Sequence, residues 1–208
     1  MRAHRQRLGG ALVIVARRPG GRAQCPRFKQ REARMPDGFV IANFRHVADG
    51  LQEGQFAVGE RKRAASLNDL DPIYRQLLDR PITQTLGIIG PDGRPSLTPM
   101  WFDYEDDKIL VNTASHRPKC QWIRRNPRMT SLLVNPDNPY HWVQIKHSVD
   151  KELREWDPGG EYVTRQLDLI WSKYTGNPPP YGLRDPKIDE KRVLFVCRID
   201  RIATFGKP

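Results

Sequence analysis

The residues best placed to do chemistry are Asn112-Thr113-Ala114-Ser115-His116-Arg117-Pro118-Lys119. A β-type run ends there in hydroxyl residues, and a helix begins at once. The first turn of a helix leaves backbone N–H groups without intrahelical partners, and the helix dipole adds partial positive charge. Arg117 and Lys119 add two full charges, and Thr113 and Ser115 add hydroxyl donors. Basic side chains are unfavourable at a helix N-terminus. Their presence points to an anion, most naturally a phosphate. The same residues also suit an ordinary helix start with solvated cations.

Other candidates are weaker. Arg124, Arg125 and Arg128 extend a basic track or form a solvated face. His116, His141 and His147 lack the spacing of a metal site, so no metal is expected. Cys25, Cys120 and Cys197 form no CxxC pair and suggest neither a disulfide framework nor zinc. There is no GxSxG, P-loop or GxGxxG motif. Residues 103–107 read as a solvated acidic turn.

The elements that must position the 112–119 junction can be read from residue 67 onward. Residues 67–80 predict a short helix, capped by Asp71 with Pro72 in its first turn and Ile73, Leu77 and Leu78 on one face. Strands are expected at 82–89, 96–104 and 109–113, joined by turns at 90–95 and 105–108 as an antiparallel meander. A helix from 115 carries Trp122 and Ile123 and stops at Asn126-Pro127. Further strands follow at 129–134 and 140–149. Residues 162–174 are the clearest helix. Val163, Leu167, Ile170, Trp171 and Tyr174 fall on one stripe, read as core or interface, with Gly176 past the end. A Pro-rich loop, 177–186, leads to a last strand, 192–205. This order predicts a mainly β fold, a small barrel with peripheral helices.

Of 208 residues, 35 are Lys or Arg and 24 are Asp or Glu, a balance of +11. Residues 1–66 hold 14 basic and 5 acidic residues (+9), leaving 67–208 near neutral at +2. The first third has no sustained period and only short apolar clusters, so it reads as a basic, disordered N-terminal extension to a 67–208 domain. Its removal is expected to leave stability intact. A nucleic-acid arm is the rival reading, but no aromatic–basic interleaving accompanies the charge, so nucleic acid is not expected as a partner. No apolar run of 18 residues occurs, so no spanning helix is expected. The six-residue run from Ala11 to Ala16 is too short for a signal-peptide core, and a cytoplasmic protein is expected.

Several segments occur in a telling order: Asp92-Gly93-Arg94-Pro95, Thr98-Pro99-Met100-Trp101-Phe102, Ile109-Leu110-Val111-Asn112-Thr113-Ala114, Arg117-Pro118-Lys119, Ile123-Arg124-Arg125-Asn126-Pro127-Arg128, Lys173-Tyr174-Thr175-Gly176 and Arg192-Val193. In this the chain resembles the pyridoxamine 5′-phosphate oxidase-like split-barrel family, and most nearly its F420-dependent flavin/deazaflavin branch. The resemblance covers roughly residues 70–206. It implies a six-stranded antiparallel Greek-key split barrel that forms a homodimer with cofactor sites at the interface. It places the cofactor phosphate on Arg117 and Lys119. Ser96, Leu97, Thr98, Pro99, Met100 and Trp101 would lie along the ring, mainly through backbone groups, and Thr113 and Ala114 along the ribityl and phosphate part. Trp142 and residues 178–181 would reach the partner's site. The implied chemistry is hydride transfer between coenzyme F420 and a small conjugated substrate, with no dedicated acid–base residue required. FMN is the alternative cofactor, and a non-catalytic flavin- or deazaflavin-binding protein the alternative role. The chain departs from the family's pattern at His147 and Ser148, where many relatives have Gly. It also lacks the residue set for recognising pyridoxamine phosphate, so vitamin B6 oxidation is not expected.

Overall fold

The computed structural model describes residues 38–44 and 58–208, with backbone alone at 58–60. Six strands form an antiparallel sheet in the order β4, β3, β7, β8, β9, β6: β3 (Gln84–Ile89), β4 (Pro95–Met100), β6 (Lys108–Ala114), β7 (Arg128–Val134), β8 (Trp142–Arg154) and β9 (Arg192–Phe205). β4 and β6 do not pair, so the barrel stays split between them. The sequence accounts for most of this. β3 and β7 alternate buried and half-buried or exposed positions, whereas β6 is buried at nearly every position because helices cover its outer face. Leu86, Ile109, Val111, Leu133, Ile145 and Phe195 meet in one core.

The expected 96–104 strand is two strands, so the three-strand meander does not form. β4 pairs with β3, and β5 (Asp103–Glu105) pairs with β6. Trp101 and Phe102 form the break. Their backbone groups bond to side chains instead of a ladder. Gln84 Nε2 donates to the Trp101 carbonyl at 3.1 Å, and the Phe102 N–H donates to Tyr174 Oη at 2.9 Å. Phe102 itself is fully buried, which locks the bend.

The boundary expected at residue 66 does not hold for the described residues before it, which pair into the sheet. β1 (Phe39–Phe44) runs parallel to the second half of β9, and β2 (Val58–Ala64) pairs antiparallel with β1. Phe39, Ile41 and Ala42 are buried. In sequence this stretch shows only a short apolar cluster among Arg, Gly and Pro, and its partner strand lies some 160 residues downstream, out of sight of any local reading. The rest of the expected extension, residues 1–37 and 45–57, lies outside the described residues.

The first two helices are shorter than their sequence patterns, and the third is longer by one residue at each end. A 3-10 turn (Leu67–Asp69) precedes α1 (Pro72–Asp79), whose Asp71 cap accepts from the Ile73 N–H at 3.0 Å. Tyr74 is buried on its core face, and Ile73 is only partly so. α2 is Pro118–Arg125 and α3 is Glu161–Thr175, ended by Gly176 at φ +71° as its spacing implied. β8 runs five residues past its expected end because register shifts at Lys146/His147 and Val149/Lys151 break the alternation while pairing with β9 continues.

Candidate functional site

The end of β6 and the start of α2 border a cleft of about 230 Å³. One wall is β4 and the break after it: Thr98, Pro99, Met100 and Trp101. Thr113, Arg117 and Lys119 face it from the β6–α2 junction. The structure thus brings seven of the ten expected cofactor residues together. Ala114 is fully buried behind the cleft, where its carbonyl accepts from the Arg117 N–H at 3.1 Å and Cys120 Sγ at 3.3 Å. Ser96 does not line the cleft, and Leu97 lies on the opposite face of β4, 68% exposed.

The cations carry more of the cleft's positive potential than the helix does. Pro118 has no N–H, the Ser115 N–H donates to the Lys191 carbonyl at 2.8 Å, and the Cys120 N–H donates to the Arg117 carbonyl at 3.0 Å. That leaves the Lys119 amide as the first-turn donor free of an acceptor among the described residues. Arg117 and Lys119 have no carboxylate partner among those residues. Burial, and next the Arg117 guanidinium, hold the half-buried Lys119 ammonium below the ordinary lysine range, with Arg192 adding to the effect. An arriving anion reverses that penalty.

Sequence reading missed half of the lining. Arg192 opens β9 directly opposite Ala114, a neighbour that only strand register reveals. Its Nε donates to Asn112 Oδ1 at 3.1 Å and its guanidinium to Glu190 Oε1 at 2.7 Å. Asn112 is held in turn, donating to Gln166 Oε1 at 2.8 Å and the Val163 carbonyl at 3.1 Å. Arg192 is therefore a neutralised, fixed cation beside two unpaired ones. Leu167 and Ile170 of α3, read as core, also line the cleft. Tyr181 lies in the cleft of its own chain, with Arg192 over its ring at 5.4 Å. Trp142 lies elsewhere, stacked on Phe205 at 5.6 Å.

Trp101 is wedged among aromatic rings, stacked on Tyr174 at 5.2 Å and 6.1 Å from Trp171. The Tyr174 hydroxyl is pushed up to about 12 by burial, and it donates to the Ile82 carbonyl at 2.6 Å. It fixes the β4–β5 bend and moves no proton at neutral pH.

β4 offers its backbone on one side. Pro95 and Pro99 lack an N–H, so they occupy positions that turn away from β3, as proline must on an edge strand. The antiparallel ladder alternates, so Leu97, two residues from each, turns the same way and presents its N–H and C=O to the free edge. Thr98 and Met100 bond inward to β3.

The family model for pyridoxamine 5′-phosphate oxidase matches residues 70–206. The chain belongs to this family. Among solved structures, an F420 reductase is 26% identical and aligns with a TM-score of 0.51, covering 64% of this chain and 98% of its own. A conserved hypothetical protein from Mycobacterium tuberculosis is 27% identical, with a TM-score of 0.48 over 63% of this chain and 81% of its own. The heme storage protein from Vibrio cholerae is 9% identical, with a TM-score of 0.47 over 64% of this chain and 92% of its own. No curated protein matches the chain. The family, the split sheet and the mainly β architecture agree with the sequence resemblance. Among the described residues no helix is long and apolar enough to cross a membrane, and no group of three or more His, Cys, Asp or Glu could hold a metal.

Proposed function

We propose that this protein is an F420-dependent oxidoreductase acting on a small conjugated substrate, working as a cytoplasmic homodimer. The observation that carries the reading is the pair Arg117 and Lys119, two cations without carboxylate partners among the described residues, facing the cleft that also takes in the edge strand β4. A coenzyme with a flat ring and an anionic tail suits both features. F420 is favoured over FMN by the likeness to the F420 reductase, nearly all of whose chain is spanned.

The bound deazaflavin would supply a hydride carrier. The chain's own residues bind and orient. Arg117 and Lys119 hold the phosphate, with the Lys119 amide beside them. The free edge of β4 offers one N–H and successive carbonyls to the polar rim of a ring. Leu167, Ile170 and Trp101 exclude water. No residue is assigned proton transfer. The single-chain cleft, about 230 Å³, falls below the roughly 300–1,000 Å³ usual for such ligands, which supports completion of the site by a second copy.

The test is a fluorescence titration of cofactor-free protein with F420 and with FMN, alongside sedimentation of the chain. F420 is expected to bind tightly and the protein to sediment as a dimer. Arg117→Ala and Lys119→Ala are each expected to weaken F420 binding by roughly 1.5–3 kcal/mol, the worth of a charge-assisted hydrogen bond. Tight FMN binding without F420 binding overturns the choice of coenzyme. Unchanged affinity in both variants overturns the cradle.

A further inference from the structure

A second groove, about 430 Å³, lies on the face of β4 opposite to the first cleft. Its floor is Gly87, in the middle of β3 and paired with Leu97 on one side and Thr130 on the other. A Cβ at Gly87 would sit 3.3 Å from Leu97 Cδ2 and 3.5 Å from the Thr130 carbonyl. Glycine inside a strand weakens it and marks places where a ligand or another backbone comes close. Beside this flat floor stand Leu97 and Ile89, 68% and 37% exposed.

The groove's other wall is cationic. Lys146 of β8 and Arg201 of β9 are direct cross-strand partners, and like charges placed so are unfavourable. Neither has a carboxylate partner among the described residues. Arg128 adds a third cation at the rim. The one acid in the lining, Asp200, is already engaged by Ser148 Oγ at 2.5 Å and Arg198 at 3.4 Å. A flat apolar floor beside unpaired cations is complementary to a flat, apolar-bodied anion.

We propose that this groove is a second ligand site, separate from the Arg117–Lys119 cleft, for a planar aromatic small molecule carrying a carboxylate or sulfonate. A second copy of the chain is a poorer fit where the two-fold axis passes close to these cations, because one Lys146–Arg201 pair then meets another.

The probe is 1-anilinonaphthalene-8-sulfonate, a planar aromatic anion, titrated into the full chain and followed by its fluorescence. One saturable site per chain is expected. The double variant Lys146→Gln/Arg201→Gln is expected to weaken it about tenfold or more, as loss of charge-assisted contacts does. Gly87→Ala, which puts a methyl on the floor, is expected to weaken it too, and Arg117→Ala to leave it unchanged. Circular dichroism verifies that each variant is folded. Absence of saturable uptake, uptake indifferent to the groove variants, or uptake lost with Arg117→Ala overturns the proposal. So does a dimer that Leu97→Glu dissociates, since a second copy would then occupy the groove.

Discussion

Acid is expected to destabilise this protein through several groups, and His147 gives the largest effect near neutral pH. It is fully buried on β8, its Nε2 2.8 Å from Ser131 Oγ and its Nδ1 without a partner among the described residues. Burial drives its pKa from 6.5 down to about 3. The folded state therefore keeps the ring neutral while the unfolded chain protonates it. Stability is complete above pH 6.5 and is lost as the pH falls from there toward 3. Between pH 7 and 5 the loss is about 2 kcal/mol at 1.36 kcal/mol per pH unit. At pH 5 this holds for any folded value below about 4, so the magnitude does not hinge on the depth of the shift. For a chain of this size the same loss lowers Tm by about 4–8 °C. The assay is urea unfolding followed by tryptophan fluorescence at pH 7 and pH 5, for wild type, His147→Gln and His147→Leu. Carboxylate titration is common to all three and cancels in the comparison. The variants are expected to lose about 2 kcal/mol less than wild type between the two pH values. If all three lose the same amount, His147 is not held neutral in a dry interior and the reasoning fails.

Other expectations follow from single features. Deleting residues 1–66 removes Phe39 and Ile41 from the core, at about 1.5–3 kcal/mol each. A marked fall in Tm is expected, the reverse of what the sequence alone implied, and an unchanged melting curve would contradict the placement of β1. Tyr174→Phe strands the Phe102 N–H and the Ile82 carbonyl and is expected to cost about 1–3 kcal/mol in denaturant unfolding. Coenzyme affinity is expected to fall as pH rises through the lowered Lys119 pKa, at a pH where an ordinary lysine is still charged. Lys119→Arg is expected to flatten that profile, and matching profiles would exclude Lys119 as the titrating group.

What the sequence determined was local. Pro72 after Asp71, Gly176 after a 3.6-period stripe, and Pro-Asp-Gly between two β-rich runs each act within a few residues. The cap, the helix stop and the turn they mark stand where they were expected. The candidate seat for an anion was legible for the same reason: Arg117, Pro118 and Lys119 are neighbours in the chain, and two cations at a helix start conflict with its dipole unless something compensates.

Tertiary structure decided what depends on register. Arg192 meets the seat because β9 pairs with β6, eighty residues away in the chain, and Tyr181 because its loop folds back over α3. Leu167 and Ile170 carry the same apolar signal whether they face a core or a cleft. Phe39–Phe44 became a strand because β9 outruns β6 and leaves its second half an open edge. Short-range chemistry fixes helix caps and turns. Which strand edges remain open, and hence where a ligand can lie, is settled only when distant segments compete for the same backbone hydrogen bonds.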